Sequence, residues 1–479
     1  MTFRRLAGLA AALAAPALLS ACATVLSPPA AVPAEPPARW TAPLPHQGDV
    51  TALAEWWSRH GDPVLVQLIG AAQSVSPTIA SARSRLEQAR SLRTAAGGAL
   101  LPTLDAGVNA VRASKQPDRP LGTTATAALQ TAWEIDIFGA NWAARSAAQS
   151  RLQGADAAWH EARVAVAADV ANAYYGLRAC EKLLAIAHAD AASRGETARL
   201  SDLSAKAGFT APATAALARA SAAESSARAT QQKAECDIAV KQLVALTALP
   251  EADLRQKLAA SRAAEPSPIA IASLPAQVLA QRPDVYAAEL DVAAASADVG
   301  SARAQRLPRV TLAGNVGRVN FQGGGIDATE SVWQAGPLAI SLPIFDAGRR
   351  AANVDAARAR YDEAVALYRA SVRNAVREIE EALVNLESTA ARSEAAKIAV
   401  EGYRQSFEAT EARHRAGLAS LVELEDARRV RLAAENALVT LELQRRTAWV
   451  GLYRAAGGGW SAPAGEERTA AAATAGAAQ

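Results

Sequence analysis

The segments "LPTLDAGV" (Leu101–Val108) and "LPRVTLAGNV" (Leu307–Val316) decide the fold, because each marks a change from helix to strand. Both follow an Ala- and Arg-rich stretch with a helical pattern, and the proline in each disfavours helix in the residue before it. After the proline of the second segment, apolar side chains recur at every other position, which is the period of a β-strand. The chain therefore contains the same helix-to-strand junction twice.

The junction occurs twice because the chain contains an internal duplication. A shift of 206 residues superimposes Pro102 on Pro308, and the shift has grown to 209 at Gly208 and Gly417. A period of this length exceeds that of a solenoid repeat, so we predict two homologous halves. The predicted halves are residues 51–262 and 263–460.

Each half contains a long segment that predicts a coiled-coil helix. Ala140–Ala207 and Arg349–Ala416 contain no proline and few glycines, and as helices each would be about 100 Å long. Each segment ends at a glycine, Gly208 or Gly417, where a left-handed turn is accessible. A second helical pattern follows each glycine, so we predict two antiparallel helix pairs joined at these helix-tip turns.

Each half also predicts one shorter helix and two strands. The predicted helices are Pro63–Ala96 and Pro283–Gln305, and the predicted strands are Leu101–Val111, Thr123–Ile137, Arg309–Asn320 and Ser331–Ile344. The strands are long enough to cross a membrane when tilted, and aromatic residues lie towards their ends. The pattern alone also fits a soluble β-subdomain that packs on the helices. If the strands do cross the membrane, several chains must share one closed sheet, because open edges are not tolerated in lipid.

The N-terminus resembles the export signal of a bacterial lipoprotein. Two arginines precede the apolar run Leu6–Leu19, and the run ends in Leu-Ser-Ala-Cys at Cys22. In lipoproteins of this type the cysteine becomes the first residue and carries lipid. Ala23 follows Cys22 in place of the aspartate that retains lipoproteins in the inner membrane, which favours the outer membrane. The alternative is an ordinary signal peptide with a chance cysteine.

Composition defines three segments at the two ends of the chain. Residues 1–21 form the predicted signal peptide, residues 22–50 are rich in Pro and Ala and predict a linker from the lipid, and residues 461–479 predict a disordered tail. Between these ends, no apolar run is long enough for a transmembrane helix.

Cys180 and Cys236 remain after the lipidated cysteine is assigned. They are equally far in sequence from Gly208, so a helix turn at that glycine would bring them level on antiparallel neighbours. Export makes a disulfide permissible. A Cys180–Cys236 bridge and two buried thiols are both open interpretations.

Composition and motifs exclude several classes of function. The 479-residue chain is 51% hydrophobic and 5% aromatic, with a formal net charge of +3. The sequence has no basic patch interleaved with aromatics, so we expect no nucleic-acid partner. It also lacks paired catalytic carboxylates, a nucleophile motif, a phosphate loop and a metal-ligand cluster, so we predict no enzyme activity, no cofactor and no metal.

Several longer motifs occur in order along the chain. They are "WEIDIFG" (Trp133–Gly139), "LPAQVLAQRPDVYAAE" (Leu274–Glu289), "ARAQRLPRVTLAGNVG" (Ala302–Gly317), "LPIFDAGRR" (Leu342–Arg350), "HRAGLASLVELEDARR" (His414–Arg429) and "LYRAAGGGW" (Leu452–Trp460). Together, in a duplicated chain behind a lipoprotein signal, they resemble the outer-membrane efflux proteins of the TolC type, and within them the lipoprotein branch typified by OprM and NodT.

The resemblance implies a fold and a function. The fold would be mainly α with membrane β: long coiled-coil helices and four strands per protomer, assembled as a homotrimer with a twelve-stranded β-barrel and a periplasmic α-helical barrel. The function would be the outer-membrane exit duct of a tripartite efflux system. The implied partners are a periplasmic adaptor protein, an inner-membrane transporter of the RND type and outer-membrane lipid. A peripheral coiled-coil lipoprotein that acts as a tether is the alternative function.

The resemblance also implies a periplasmic gate at Glu423 and Asp426. Both follow the second turn glycine, and three copies of each would form acidic rings in a trimer. The alternative is a solvated acidic helix face. Two features depart from the family pattern: Glu423 stands where Asp is common, and the first-half counterparts near Thr214 and Leu217 are not acidic. Counter-charges are available from Arg413, Arg415, Arg428 and Arg429.

Overall fold

The computed structural model describes residues 41, 57, 62–115, 119–261, 279 and 282–460. The predicted signal peptide with Cys22, the linker apart from Thr41, and the C-terminal tail lie outside the described residues. The described part of the chain contains eight helices and four strands.

The first half runs from helix to hairpin to helix pair. Its elements are α1 (Pro63–Val75), α2 (Pro77–Gly98), β1 (Thr103–Lys115), β2 (Arg119–Ile135), α3 (Ala140–Lys206), α4 (Pro212–Thr247) and α5 (Glu251–Ala260). The second half repeats the plan with α6 (Pro283–Ala304), β3 (Arg309–Gly323), β4 (Ile326–Ser341), α7 (Arg349–Arg415) and α8 (Leu421–Ala455). The helices α3 and α7 each contain 67 residues, so the two halves match in their longest elements.

Two predicted elements differ from the observed ones. The predicted helix Pro63–Ala96 is two helices that meet at a 51° bend. The bend arises because Pro77 disfavours helical backbone at Ser76, whose ψ of 123° is extended. The segment Gln322–Glu330, which lies between the predicted strands Arg309–Asn320 and Ser331–Ile344, is mostly strand, since two glycines with positive φ, Gly324 and Gly325, suffice for a tight hairpin turn. Helix α5 was not predicted at all.

The four strands form one antiparallel sheet in the order β1-β2-β3-β4. The central pair, β2 and β3, joins the two halves, with Leu129 opposite Val316 in the middle of the ladder. Within the described residues, β1 and β4 are the edges of the sheet.

The described residues divide into two compact units, each of which draws on both halves of the sequence. One unit comprises Arg83–Asp156 and Ala287–Ser371 and contains the sheet. The other contains the remaining described residues, including the turns at Gly208 and Gly417. Its main core is built by side chains of α1, α3, α4, α5, α7 and α8, among which Leu65, Tyr174 and Leu243 are fully buried.

No single helix in the described part of the chain has both the length and the apolar character needed to cross a membrane. The bent pair α1 and α2 meets that test of length and composition only when the two helices are taken together.

Asp62 connects three elements in the second unit. It is 3% exposed, and its Oδ1 caps α1 by accepting hydrogen bonds from the backbone N–H groups of Val64 and Leu65. The Tyr174 hydroxyl of α3 donates to Asp62 Oδ2 at 2.5 Å, and the Ser261 hydroxyl, which follows α5, donates to Oδ1 at 3.0 Å. This buried carboxylate thus fixes the start of α1 against α3 and against the residue that follows α5.

We expect Asp62→Ala to lower the free energy of unfolding by about 1–3 kcal/mol, because it removes the cap and leaves buried hydroxyls without their acceptor. Asp62→Asn keeps an acceptor oxygen and should lose less. Thermal unfolding of the purified protein measures the difference, and equal midpoints for Asp62→Ala and the wild type would contradict this role.

Candidate functional site

One face of the sheet is apolar across all four strands. The ladder register places Ala106, Leu129, Val316 and Trp333 in one row. The side chains of Leu129, Val316 and Trp333 are 45%, 55% and 79% exposed. Further along the same face, a second apolar row pairs Trp133 with Leu312 and Leu338. Large apolar side chains in exposed rows match the lipid-facing surface of a membrane sheet.

The opposite face carries polar side chains at the same level of the sheet. One residue further along each ladder, Asp105, Gln130, Asn315 and Gln334 form a row across the same four strands. Alternation of apolar and polar rows with period two is the pattern of strands that face lipid on one side and an aqueous interior on the other.

Both helix pairs end in the same kind of turn. Gly208 and Gly417 have φ of +80° and +76°, conformations that favour glycine. The N–H of the next residue reaches back to the helix in each case: Phe209 N donates to Ser204 O, and Leu418 N donates to Arg413 O. These contacts are the bonds of a Schellman cap, so the structure places a helix reversal at each predicted turn glycine.

Glu423 is held at the start of α8. The backbone N–H of Ser420 donates to Glu423 Oε2 at 2.7 Å, and the Glu423 N–H donates to Ser420 Oγ at 3.1 Å. This reciprocal pair is a capping box. The hydrogen bond from Ser420 lowers the pKa of the Glu423 carboxyl, so the exposed group is ionised at neutral pH.

Asp426 lies one turn further along α8 and is also exposed. Its Oδ1 accepts a hydrogen bond from Arg429 at 2.6 Å, and the guanidinium of Arg413 lies 3.9 Å from Glu423. The other two candidate counter-charges, Arg415 and Arg428, pair with Glu411 and Glu425 instead. Each acidic residue proposed for the gate therefore has one adjacent arginine on the same helix pair.

The first helix tip has a different chemistry. Thr214 is partly buried at the start of α4, and Leu217 is 52% exposed one turn later. The two tips of one chain are thus alike in backbone and unlike in charge.

A buried charge cluster near the tip was missed by the sequence analysis. We call it the tip clamp; its members are Asp190, Arg194, Glu425 and Arg428. The sequence analysis did not single out Asp190, Arg194 or Glu425, and it gave Arg428 only a counter-charge role. The spacing of Asp190 and Arg194 on one helix face was the available signal, but four-residue ion pairs are frequent on exposed helices as well.

Cys180 of α3 and Cys236 of α4 form a disulfide with a Cα–Cα distance of 5.5 Å. Cys236 is 7% exposed, so the bridge lies against the main core of its unit. Among the described residues, no group of His, Cys, Asp and Glu side chains is arranged to hold a metal ion.

Comparison with known proteins places this architecture in a class. A family model described as outer membrane efflux protein matches residues 68–249 and 274–458, one block in each half. The solvent efflux pump outer membrane protein SrpC of Pseudomonas putida is 29% identical over 429 residues, which cover 87% of this chain and 90% of SrpC. The pyoverdine export outer membrane protein OpmQ of the same species, strain KT2440, is 29% identical over 458 residues, covering 93% and 96%.

A solved structure gives the same result for the fold. The outer-membrane channel OprN superposes with a TM-score of 0.83 at 28% identity, covering 91% of this chain and 99% of OprN. The fold, together with the apolar rows on one side of the sheet, therefore identifies the class of protein as an outer-membrane channel. The chain belongs to the outer membrane efflux protein family.

Family membership confirms the predicted fold class and the predicted function as an outer-membrane efflux duct. Channels of this family are trimers that work with an adaptor and an inner-membrane pump. The family consists of channels rather than enzymes, and the tether alternative is set aside.

Proposed function

We propose that three copies of this chain form a lipid-anchored exit duct whose inner end is gated by Glu423 and Asp426. Two observations on the sheet carry the proposal. Apolar and polar rows alternate between its two faces, and within the described residues its edge strands β1 and β4 each lack a partner on one side. Backbone groups of β1 and β4 would be costly to leave unpaired in lipid. Three copies of the four-stranded sheet supply a closed twelve-stranded barrel.

The lipid anchor rests on the sequence of the N-terminus. We propose that Cys22 is acylated after removal of residues 1–21 and that residues 22–50 connect it to the body of the protein. A single acyl chain binds a membrane only weakly, whereas several chains together anchor stably. In a trimer the lipids of three Cys22 residues would act together with the strands.

The proposed partners are a periplasmic adaptor and an inner-membrane transporter of the RND type. The type of transporter follows from the resemblance to the OprM and NodT branch. SrpC is named for solvent efflux and OpmQ for pyoverdine export, so relatives of similar identity serve chemically different cargo. We infer that the pump, rather than this chain, selects the substrate.

The gate proposal rests on charge and position. Glu423 is ionised and 52% exposed, and Asp426 is 65% exposed. In a threefold assembly each residue would form a ring of three carboxylates, which attracts cations and is sensitive to the arrangement of its members.

We expect Cys22→Ser to abolish incorporation of labelled palmitate while leaving the strands able to insert. The variant should still cofractionate with outer membranes, with less protein in the membrane fraction, because one of two anchors is lost. Membrane fractionation with metabolic labelling measures both effects. Labelled Cys22→Ser protein would exclude Cys22 as the acylation site.

The mass of the detergent-solubilised particle, after the mass of bound detergent is subtracted, tests whether the protein is a trimer. A mass of three chains supports the shared barrel. A monomer that retains its helical content would overturn it.

A further inference from the structure

The apolar face of the sheet, which faces lipid in an outer-membrane channel, ends at an arginine. Arg318 follows Val316 by two positions in β3, so its side chain leaves the same side of the sheet. Its partners in the ladder, Ala127 of β2 and Ser331 of β4, carry short side chains. The exposed guanidinium of Arg318 therefore has room to extend away from the apolar rows.

Polar side chains cover the same face from Arg318 to the hairpin turn. Asn320 is opposite Thr329, and Gln322 is opposite Asp327. The Asn320 amide donates to Asp327 Oδ1 and to Thr329 Oγ1, both at 2.9 Å, and the Gln322 amide donates to Asp327 Oδ2 at 3.2 Å. The one carboxylate in these two rows of β3 and β4 thus has amide partners, and the face changes from apolar to polar within a single strand.

This change marks a boundary of the membrane. The turn at Gly324 and Gly325 lies at one end of the sheet, whereas α3 and α7 begin beyond the other end, after β2 and β4. In a channel with periplasmic helices the turn therefore faces the cell exterior. An arginine on a lipid-facing strand is strongly unfavourable at the bilayer centre and nearly neutral at the interface. Trp333, in the last apolar row, is a residue type enriched at that interface, so Arg318 lies at the level of the outer headgroups.

A second exposed arginine lies on the same face. Arg112 of β1 is level with Gln322 of β3, which places it about 10 Å from Arg318 across the sheet and about 13 Å along the strands. Among the described residues neither arginine has an ion-pair partner, whereas Arg309 at the other end of β3 pairs with Glu134 at 3.2 Å. Guanidinium groups bind phosphate with two parallel hydrogen bonds, so the two arginines suit an anion that carries more than one phosphate.

We propose that Arg318 and Arg112, which we call the headgroup site, bind the phosphates of a glycolipid in the outer leaflet. The partner is a lipid rather than free phosphate because the apolar row of Leu129, Val316 and Trp333 lies directly beneath Arg318 and would contact its acyl chains. The inference rests on the proposed trimeric barrel, whose apolar face meets lipid, and each chain supplies one site.

Lipid binding to full-length trimers tests the site. Purified protein in a non-ionic detergent is titrated with a diphosphorylated glucosamine lipid, with the same lipid after dephosphorylation, or with inorganic phosphate, and native mass spectrometry counts the bound molecules. We expect one diphosphorylated lipid per chain and at least tenfold weaker binding of the dephosphorylated lipid. Arg318→Gln should weaken binding about tenfold, and Arg318→Gln with Arg112→Gln should weaken it further, because each removes a charged contact to phosphate.

Two variants serve as controls. Arg306→Gln removes an exposed arginine just before β3, beyond the other end of the strand, and should bind the lipid as the wild type does. Arg318→Lys keeps the charge and should retain more binding than Arg318→Gln. Equal weakening by Arg306→Gln and Arg318→Gln would indicate general attraction to positive charge and would overturn the site.

Three further results would also overturn it: wild-type binding by the double glutamine variant, equal affinity of wild-type protein for the two lipids, or inorganic phosphate that displaces the lipid at equal concentration. The comparison of the two lipids needs only wild-type protein, so it decides even if a variant does not assemble. Mass and single-channel conductance are recorded on the same samples. A wild-type monomer would contradict the proposed duct, whereas conducting trimers without preference for the phosphorylated lipid would contradict the headgroup site alone.

Discussion

Removing the charges of Glu423 and Asp426 should raise the conductance of the isolated channel about threefold or more, because the rings of carboxylates and their arginine partners would no longer constrain the tip. The double substitution Glu423→Ala with Asp426→Ala is the direct experiment. Single-channel currents in planar bilayers measure the effect.

The capping box complicates the alanine variant. Glu423 also accepts a hydrogen bond from the Ser420 N–H, so alanine removes both a charge and a helix cap, the latter being worth about 1 kcal/mol. Glu423→Gln with Asp426→Asn keeps the cap and removes only the charges. Equal increases in both double variants would assign the effect to charge.

The other helix tip offers a matched control. Glu196 and Asp202 on α3 are acidic residues paired with Arg199 and Lys206. Glu196→Gln with Asp202→Asn removes the same number of charges near Gly208 and should leave conductance unchanged. Unchanged conductance in both Glu423 and Asp426 double variants would remove these two residues from the gate.

Loss of the Cys180–Cys236 bridge should have the second large effect. The bridge closes a sequence separation of 56 residues between α3 and α4. Crosslinks of this span stabilise by about 2–4 kcal/mol, mainly by restricting the unfolded chain. We expect Cys180→Ala with Cys236→Ala to lower the thermal midpoint of the trimer while conductance stays at the wild-type value.

Reduction provides the control for that variant. A reducing agent should lower the midpoint of the wild-type protein towards that of the double alanine variant and should leave the variant itself unaffected. The free thiols of unreduced wild-type protein are counted in denaturant with a thiol reagent. Two reactive thiols per chain would contradict the disulfide.

Backbone features were the most predictable from sequence. Gly208 and Gly417 could be placed because a left-handed turn between long proline-free segments requires glycine, and both adopt positive φ. A helical pattern was predicted after Gly417, and α8 (Leu421–Ala455) lies there, with its start fixed by the capping box of Ser420 and Glu423. The duplication supplied the rest of the plan, as each half supports the interpretation of the other.

Contacts between distant segments were much less predictable. Ser76 and Pro77 were interpreted as helix interior, although a proline there disfavours helical backbone in the preceding residue. The burial of Arg428 could not be inferred from "ELEDARR", because it depends on Asp190, more than two hundred residues earlier in the chain. Local charge patterns do not distinguish a solvated ion pair from a buried one.

Single-channel recording of the purified wild-type protein in planar bilayers shows whether this chain forms an outer-membrane conduit. We expect discrete, stable conductance steps, each corresponding to the insertion of one trimer. Bilayers that stay electrically silent after insertion of folded, trimeric protein would contradict it.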